Sequence, residues 1–251
     1  MDARWQYMEG QLRPGFPALF EAFAAESGAV AGEFDIPYGP HPRMVFDGFR
    51  AARSQALLVW FHAGYWQSRD KAGFRFLAPP LLAAGYDVAL ANYPLCPEAT
   101  MPELLAATRA AIPAILGWAG RDSLIAAGHS AGGHIVAELA LAGVPGIAAI
   151  AAFSGIYDLV PLVGIPLNDR LGLTEETARD LSPIHRVRAG LPPALFAVGG
   201  AETPAFLEQN AAMAAAWAAA GNRAARHEEA GADHFTLLRA LPAMLALTPS
   251  G

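Results

Sequence analysis

The sequence predicts an α/β fold, a mostly parallel sheet of about eight strands with helices on both faces. Three observations carry this. Short apolar runs such as Ala56-Leu57-Leu58-Val59-Trp60-Phe61 recur along the chain, as strands covered on both faces require. Stretches with helical character separate most of them, and strands alternating with helices imply parallel pairing through crossovers. Finally, Gly128-His129-Ser130-Ala131-Gly132 stands between the apolar run Ser123–Ala127 and an Ala-rich stretch, Ile135–Ala142. This is G-x-S-x-G at a strand-to-helix turn, the nucleophile elbow, which pushes a serine hydroxyl out of the backbone. Gly128 and Gly132 suit it because strand and helix pass too close there for a Cβ.

In order, Phe16–Glu26 is expected as a helix, with Phe16, Phe20 and Phe23 at helical spacing against the core. Glu33–Tyr38 and Met44–Phe49 read as two strands around Tyr38-Gly39-Pro40. Ala56–Phe61 and Tyr86–Ala91 are further strands. Pro102–Trp118 reads as a helix that Pro113 should kink or break. Beyond the elbow, Gly146–Phe153, Pro193–Val198 and Arg223–Glu229 are strands. A helix, Pro204–Ala220, opens on Thr203-Pro204 as N-cap and first residue. Residues 154–192 are rich in proline and lack a sheet strand, so they are expected as a small cap insertion. With residues 1–32 as an N-terminal segment, the whole chain, 1–251, reads as one domain.

Composition bounds the chemistry. At 54% hydrophobic and 16% charged residues the 251-residue chain is expected to fold around a sizeable core. A net charge of −6 offers no basic stripe for nucleic acid. The single cysteine, Cys96, permits no internal disulfide. The first residues lack a signal-peptide pattern, and no apolar run reaches the roughly 18 residues of a membrane span. A cytoplasmic protein without membrane or nucleic-acid partners is expected; a homodimer is left open. H-E-x-x-H, Cys-x-x-Cys and the phosphate-loop motif are absent, and Ser130 breaks the dinucleotide fingerprint. No cofactor and no metal are expected.

A serine nucleophile needs a general base oriented by an acid, in elbow proteins in the chain order Ser, acid, His. Four of the seven histidines follow Ser130. His134 lies one helical turn on, His185 lies in the cap and His227 lies within the last strand. His234, in the loop Ala230–Phe235 after that strand, is the base expected. Glu202, in Gly199-Gly200-Ala201-Glu202 directly after a strand, is the acid expected, with Asp158 after the preceding strand as its rival. The oxyanion of an acyl-transfer intermediate needs preorganised N–H donors. Ala131, following the nucleophile, should supply one, and Gly64 and Tyr65, in the turn His62-Ala63-Gly64-Tyr65-Trp66, the others. His62 is expected to prop that turn. Trp66, Tyr93 and Tyr157 lie near strand ends and are expected in the substrate pocket.

Taken together, H-A-G-Y-W-Q, Asn92-Tyr93-Pro94, G-H-S-A-G-G-H, Ser154–Leu159, G-G-A-E-T-P and D-H-F resemble the kynurenine formamidases (arylformamidases). These belong to the α/β-hydrolase superfamily, near the hormone-sensitive-lipase-like esterases. The resemblance spans about residue 33 to the C-terminus. It implies the nucleophile at Ser130, the acid at Glu202 and the base at His234. It departs at Ala63, where the family's turn has its first glycine, and at Glu202, where the family often has Asp. What it implies is a serine hydrolase releasing a formyl-type acyl group from an aromatic amine through an acyl-enzyme. A carboxylesterase on short-chain or aryl esters is the alternative. A binding module that has lost the chemistry is another.

Overall fold

Eight strands share one sheet in the order β1-β2-β4-β3-β5-β6-β7-β8. They are β1 Glu33–Pro37, β2 Val45–Phe49, β3 Ala56–Phe61, β4 Tyr86–Ala91, β5 Leu124–His129, β6 Ile147–Phe153, β7 Ala194–Gly199 and β8 Ala224–Glu229. The computed structural model describes residues 2–249. β1 and β2 run antiparallel, as does β2 against β4, and every pair from β4 to β8 is parallel. The helices are α1 Ala3–Tyr7, α2 Phe16–Gly28, α3 Ala78–Ala83, α4 Met101–Ala119, α5 Ala131–Leu141, α6 Asn168–Leu171, α7 Glu175–Asp180, α8 Pro204–Ala219 and α9 Leu241–Leu245.

Side chains on a strand alternate between faces, and here that alternation divides the core in two. Leu57, Val59 and Phe61 of β3 pack with α4, α5 and α8. Leu58 and Trp60 of the same strand pack with α2, α3 and α9 on the other face. Helices therefore cover both faces, as the long apolar strands require. α4 begins at a capping box, Thr100 with Glu103, and stops at Gly120 in the left-handed conformation. The break expected at Pro113 does not occur: α4 is one helix from Met101 to Ala119, with Ile112 and Ile115 buried on either side of the proline. Tertiary packing holds this turn helical against the proline's missing N–H.

Parallel pairing sends the carboxyl ends of β3 and β5–β8 to one edge of the sheet, where ligands of open α/β sheets bind. The turn at His62, Ser130, Ser154, Glu202 and His234 all follow strands at that edge.

Candidate active site

Ser130 closes β5 and opens α5 with φ 56° and ψ −114°, far from ordinary L-residue geometry. The elbow is held by main chain: Ser130 N–H donates to Phe153 C=O at 2.8 Å. A Cβ on Gly128 would lie 2.2 Å from the Gly132 carbonyl oxygen, and one on Gly132 would lie 1.9 Å from that of Phe61. Both glycines are thus required by close approach of β3, β5 and α5.

Downstream, His234 and Glu202 meet. The separation of His234 Nδ1 from Glu202 Oε2 is 2.6 Å, and both residues are buried. Glu202 Oε1 accepts from Ser154 Oγ at 2.5 Å and from Gly199 N–H at 2.9 Å, so the carboxylate is held at both oxygens. Ser130 and His234 line one cavity of about 410 Å³, within the roughly 300–1,000 Å³ usual for small-molecule sites. Asp158 lies elsewhere: it caps Val160 N–H at 3.0 Å and faces His185 at 3.9 Å. His134 is buried, its Nε2 2.9 Å from Leu181 C=O. His227 lies 2.8 Å from Glu229. Of the four downstream histidines, His234 is the one that shares a cavity with Ser130.

The turn after β3 carries Gly64, Tyr65 and Trp66 at φ 131°, 50° and 60°. Ala63 is not among the residues of positive φ, so the alanine stands where a Cβ is tolerated. Gly64 is the position that cannot change, because its Cβ would fall 2.2 Å from Ser68 C=O. The Tyr65 hydroxyl donates to Tyr7 C=O, which ties the turn to the N-terminal segment. Among the described residues, the N–H groups of Gly64 and Tyr65 donate to no protein acceptor. Ala131, the first residue of α5, has no intrahelical acceptor. His62 braces the turn, with Nδ1 2.7 Å from Ala63 C=O and its ring stacked 4.5 Å from Tyr93. Burial pulls its pKa down to about 4, which keeps it neutral.

Three expected pocket residues are placed differently. Trp66, Tyr93 and Tyr157 are fully buried in the core and do not line the cavity. Trp66 packs edge-on to His134, Tyr93 donates from its hydroxyl to His62 C=O at 2.8 Å, and Tyr157 meets Phe196 edge-on. Strand-end aromatics here are absorbed by packing. The aromatic wall is instead Phe16 and Phe20 of α2, with Tyr65 and Phe235. The expected cap, 154–192, contributes only Leu167 to the cavity, whereas the N-terminal segment contributes a string of residues from Arg4 to Phe20.

That segment is stitched to the loop bearing Glu202. Thr203 Oγ1 donates to Gln6 C=O at 2.7 Å and accepts from Gln11 Nε2 at 3.0 Å. Arg13 donates to Ala201 C=O at 2.7 Å, and Gln209 to the Tyr7 hydroxyl at 2.9 Å. Thr203 does occupy the N-cap position of α8, but its hydroxyl is spent on the segment. Gln6 Oε1 takes the helix N–H of Ala205 at 3.1 Å instead.

Known proteins resemble this chain in sequence and in fold. The chain is 29% identical to a kynurenine formamidase of Danio rerio, covering 82% of this chain and 76% of that protein. It is 28% identical to one of Drosophila melanogaster, covering 77% and 71%. The chain is an α/β-hydrolase similar in sequence to kynurenine formamidases. A Silicibacter sp. structure provisionally described as a thioesterase superposes on this hydrolase with a TM-score of 0.84 and 28% identity, over 97% of each chain. Esterase 2 of Thermogutta terrifontis shares the fold at a TM-score of 0.69 and 22% identity, covering 88% of this chain and 94% of that one. No family model matches the hydrolase.

Proposed function

We propose that this hydrolase removes a formyl-type acyl group from an aromatic amine by serine catalysis. The observation that carries the reading is the His234–Glu202 pair, 2.6 Å apart, behind a cavity that Ser130 shares. In the proposed cycle Ser130 Oγ attacks the acyl carbonyl while His234 Nε2 takes its proton. Glu202, accepting from Nδ1–H, fixes the tautomer and stabilises the imidazolium. The N–H groups of Ala131, Gly64 and Tyr65 meet the oxyanion. His234 then returns the proton to the departing amine, and water, deprotonated by the same histidine, releases the acid from the acyl-enzyme. No cofactor is needed at any step.

The formamidase relatives support the formyl amide, and the aromatic wall of Phe16, Phe20, Tyr65 and Phe235 suits an aryl leaving group. The thioesterase-described neighbour supports a second reading, hydrolysis of an ester-type rather than an amide acyl bond; short-chain and aryl esters are the substrates that test it. Side-by-side kinetics on N-formylkynurenine and p-nitrophenyl acetate separate them. Efficient turnover of the formamide is expected; turnover of the ester alone would replace the formamidase reading by the esterase one. Among the described residues no helix is long and apolar enough to cross a membrane, and with the single buried Cys96 we read the protein as cytoplasmic.

A further inference from the structure

The cavity beside Ser130 carries one charge that the proposed hydrolysis does not use. Arg69, in the loop after the oxyanion turn, lines the cavity together with Ser130, His234 and Phe235. Its guanidinium lies 4.4 Å from the Phe20 ring centroid and 4.7 Å from that of Phe235. Rings on which an arginine rests orient its planar donors. Among the described residues, this guanidinium has no carboxylate within ion-pair distance and donates to no protein acceptor. Its neighbours are not in that state: Arg43 pairs with Asp70 at 3.1 Å, and Arg4, at the same cavity, pairs with Glu9 at 2.7 Å. Glu202, the carboxylate behind His234, is occupied by His234, Ser154 and Gly199. The charges lining the cavity thus reduce to a compensated pair and one uncompensated cation. The backbone of Arg69 is also left-handed, at φ 73°, a conformation a β-carbon resists. The Arg69 carbonyl accepts from Arg43 at 2.9 Å, which anchors the loop while leaving the side chain to the cavity.

We propose that Arg69 is a specificity residue that binds a carboxylate on the leaving-group side of the substrate, so that the preferred substrates are acylated aromatic compounds bearing a remote carboxylate. The inference rests on the acyl-hydrolase reading of the site but not on the bond being an amide. The aryl ring packs against Phe16, Phe20 and Phe235, and the carboxylate meets the guanidinium as a charge-assisted, two-pronged contact. Because that contact is the same in ground and transition states, it acts mainly on KM.

Two substrate pairs test this: N-formylkynurenine against formanilide, and O-acetyltyrosine against phenyl acetate. In the native enzyme the acidic member of each pair is expected to have the higher kcat/KM. Arg69→Met should lower that preference about 10- to 100-fold, mostly through KM, and Arg69→Lys should retain part of it. An unchanged preference in Arg69→Met, or an equal loss for acidic and neutral members, overturns the proposal. Inhibition of the native enzyme provides a check independent of any variant: 3-phenylpropionate must inhibit more tightly than 3-phenylpropanol, and that difference must shrink with added salt. Equal inhibition by the two also overturns it. If esters alone are hydrolysed, the formamidase reading falls while the ester pair still decides the role of Arg69. If formamides are hydrolysed without an acid preference, Arg69 falls and the formamidase reading stands.

Discussion

At the scale of residues, the site is a set of side chains each held by a different piece of chain. Glu202 illustrates this: one oxygen faces His234, and the other takes Ser154 Oγ and Gly199 N–H. Ser130→Ala should lower kcat by about 10⁴- to 10⁶-fold with an unchanged circular dichroism spectrum. Glu202→Gln is expected to cost less, because the base remains while its orientation and charge support are lost. Steady-state kinetics on one substrate rank the two; the reverse order would move the nucleophile or the acid. Ser154→Ala removes one of the two donors to Glu202 Oε1 and should cost about tenfold in kcat with little change in KM. A loss confined to KM would mean that Ser154 contacts substrate instead.

At the scale of elements, the N-terminal segment and α8 depend on one another. Gln6 caps α8 through Ala205 N–H, and Thr203 holds Gln6 and Gln11. Because Glu202 directly precedes Thr203, these bonds also anchor the loop that carries the proposed acid. Gln6→Ala should lower stability by about 1 kcal/mol, the usual worth of an N-cap acceptor, read as a reduced midpoint in urea. Since residues from Arg4 to Phe20 line the cavity, the same variant is expected to raise KM more than it lowers kcat. A stability loss with unaltered KM would show the segment to be scaffold only.

For the whole molecule, burial of neutral histidines sets a pH limit. Burial pulls the pKa of His62 and His134 from the ordinary 6.5 to about 4. It holds His129 well below 6.5, with the neighbouring His234 adding to the effect. For these groups the unfolded chain binds protons that the folded chain refuses. The stability they contribute is therefore complete above about pH 6.5 and is lost as pH falls through about 4. Thermal unfolding across pH 8 to 4 should show a flat Tm down to about 6.5 and a steep fall below it. A Tm constant to pH 4.5 would mean that the three rings are not buried as described.

What the sequence by itself determined was the part governed by local pattern and chain order. The eight strands fall within a residue or two of their expected bounds, because apolar runs between turn residues leave few alternatives. The elbow at Ser130 was legible from the glycines that a close strand-to-helix turn needs. Glu202 and His234 were legible as candidates because each directly follows a strand, and parallel pairing brings such positions to one edge. Only the tertiary structure decided what depends on distant segments meeting. It gave Glu202 rather than Asp158 to His234, drew Trp66, Tyr93 and Tyr157 into the core, and kept α4 whole across Pro113. It also laid Tyr7, Phe16 and Phe20 over the cavity and left Arg69 facing it unpaired, because those contacts join residues far apart in the chain, and no local spacing encodes them.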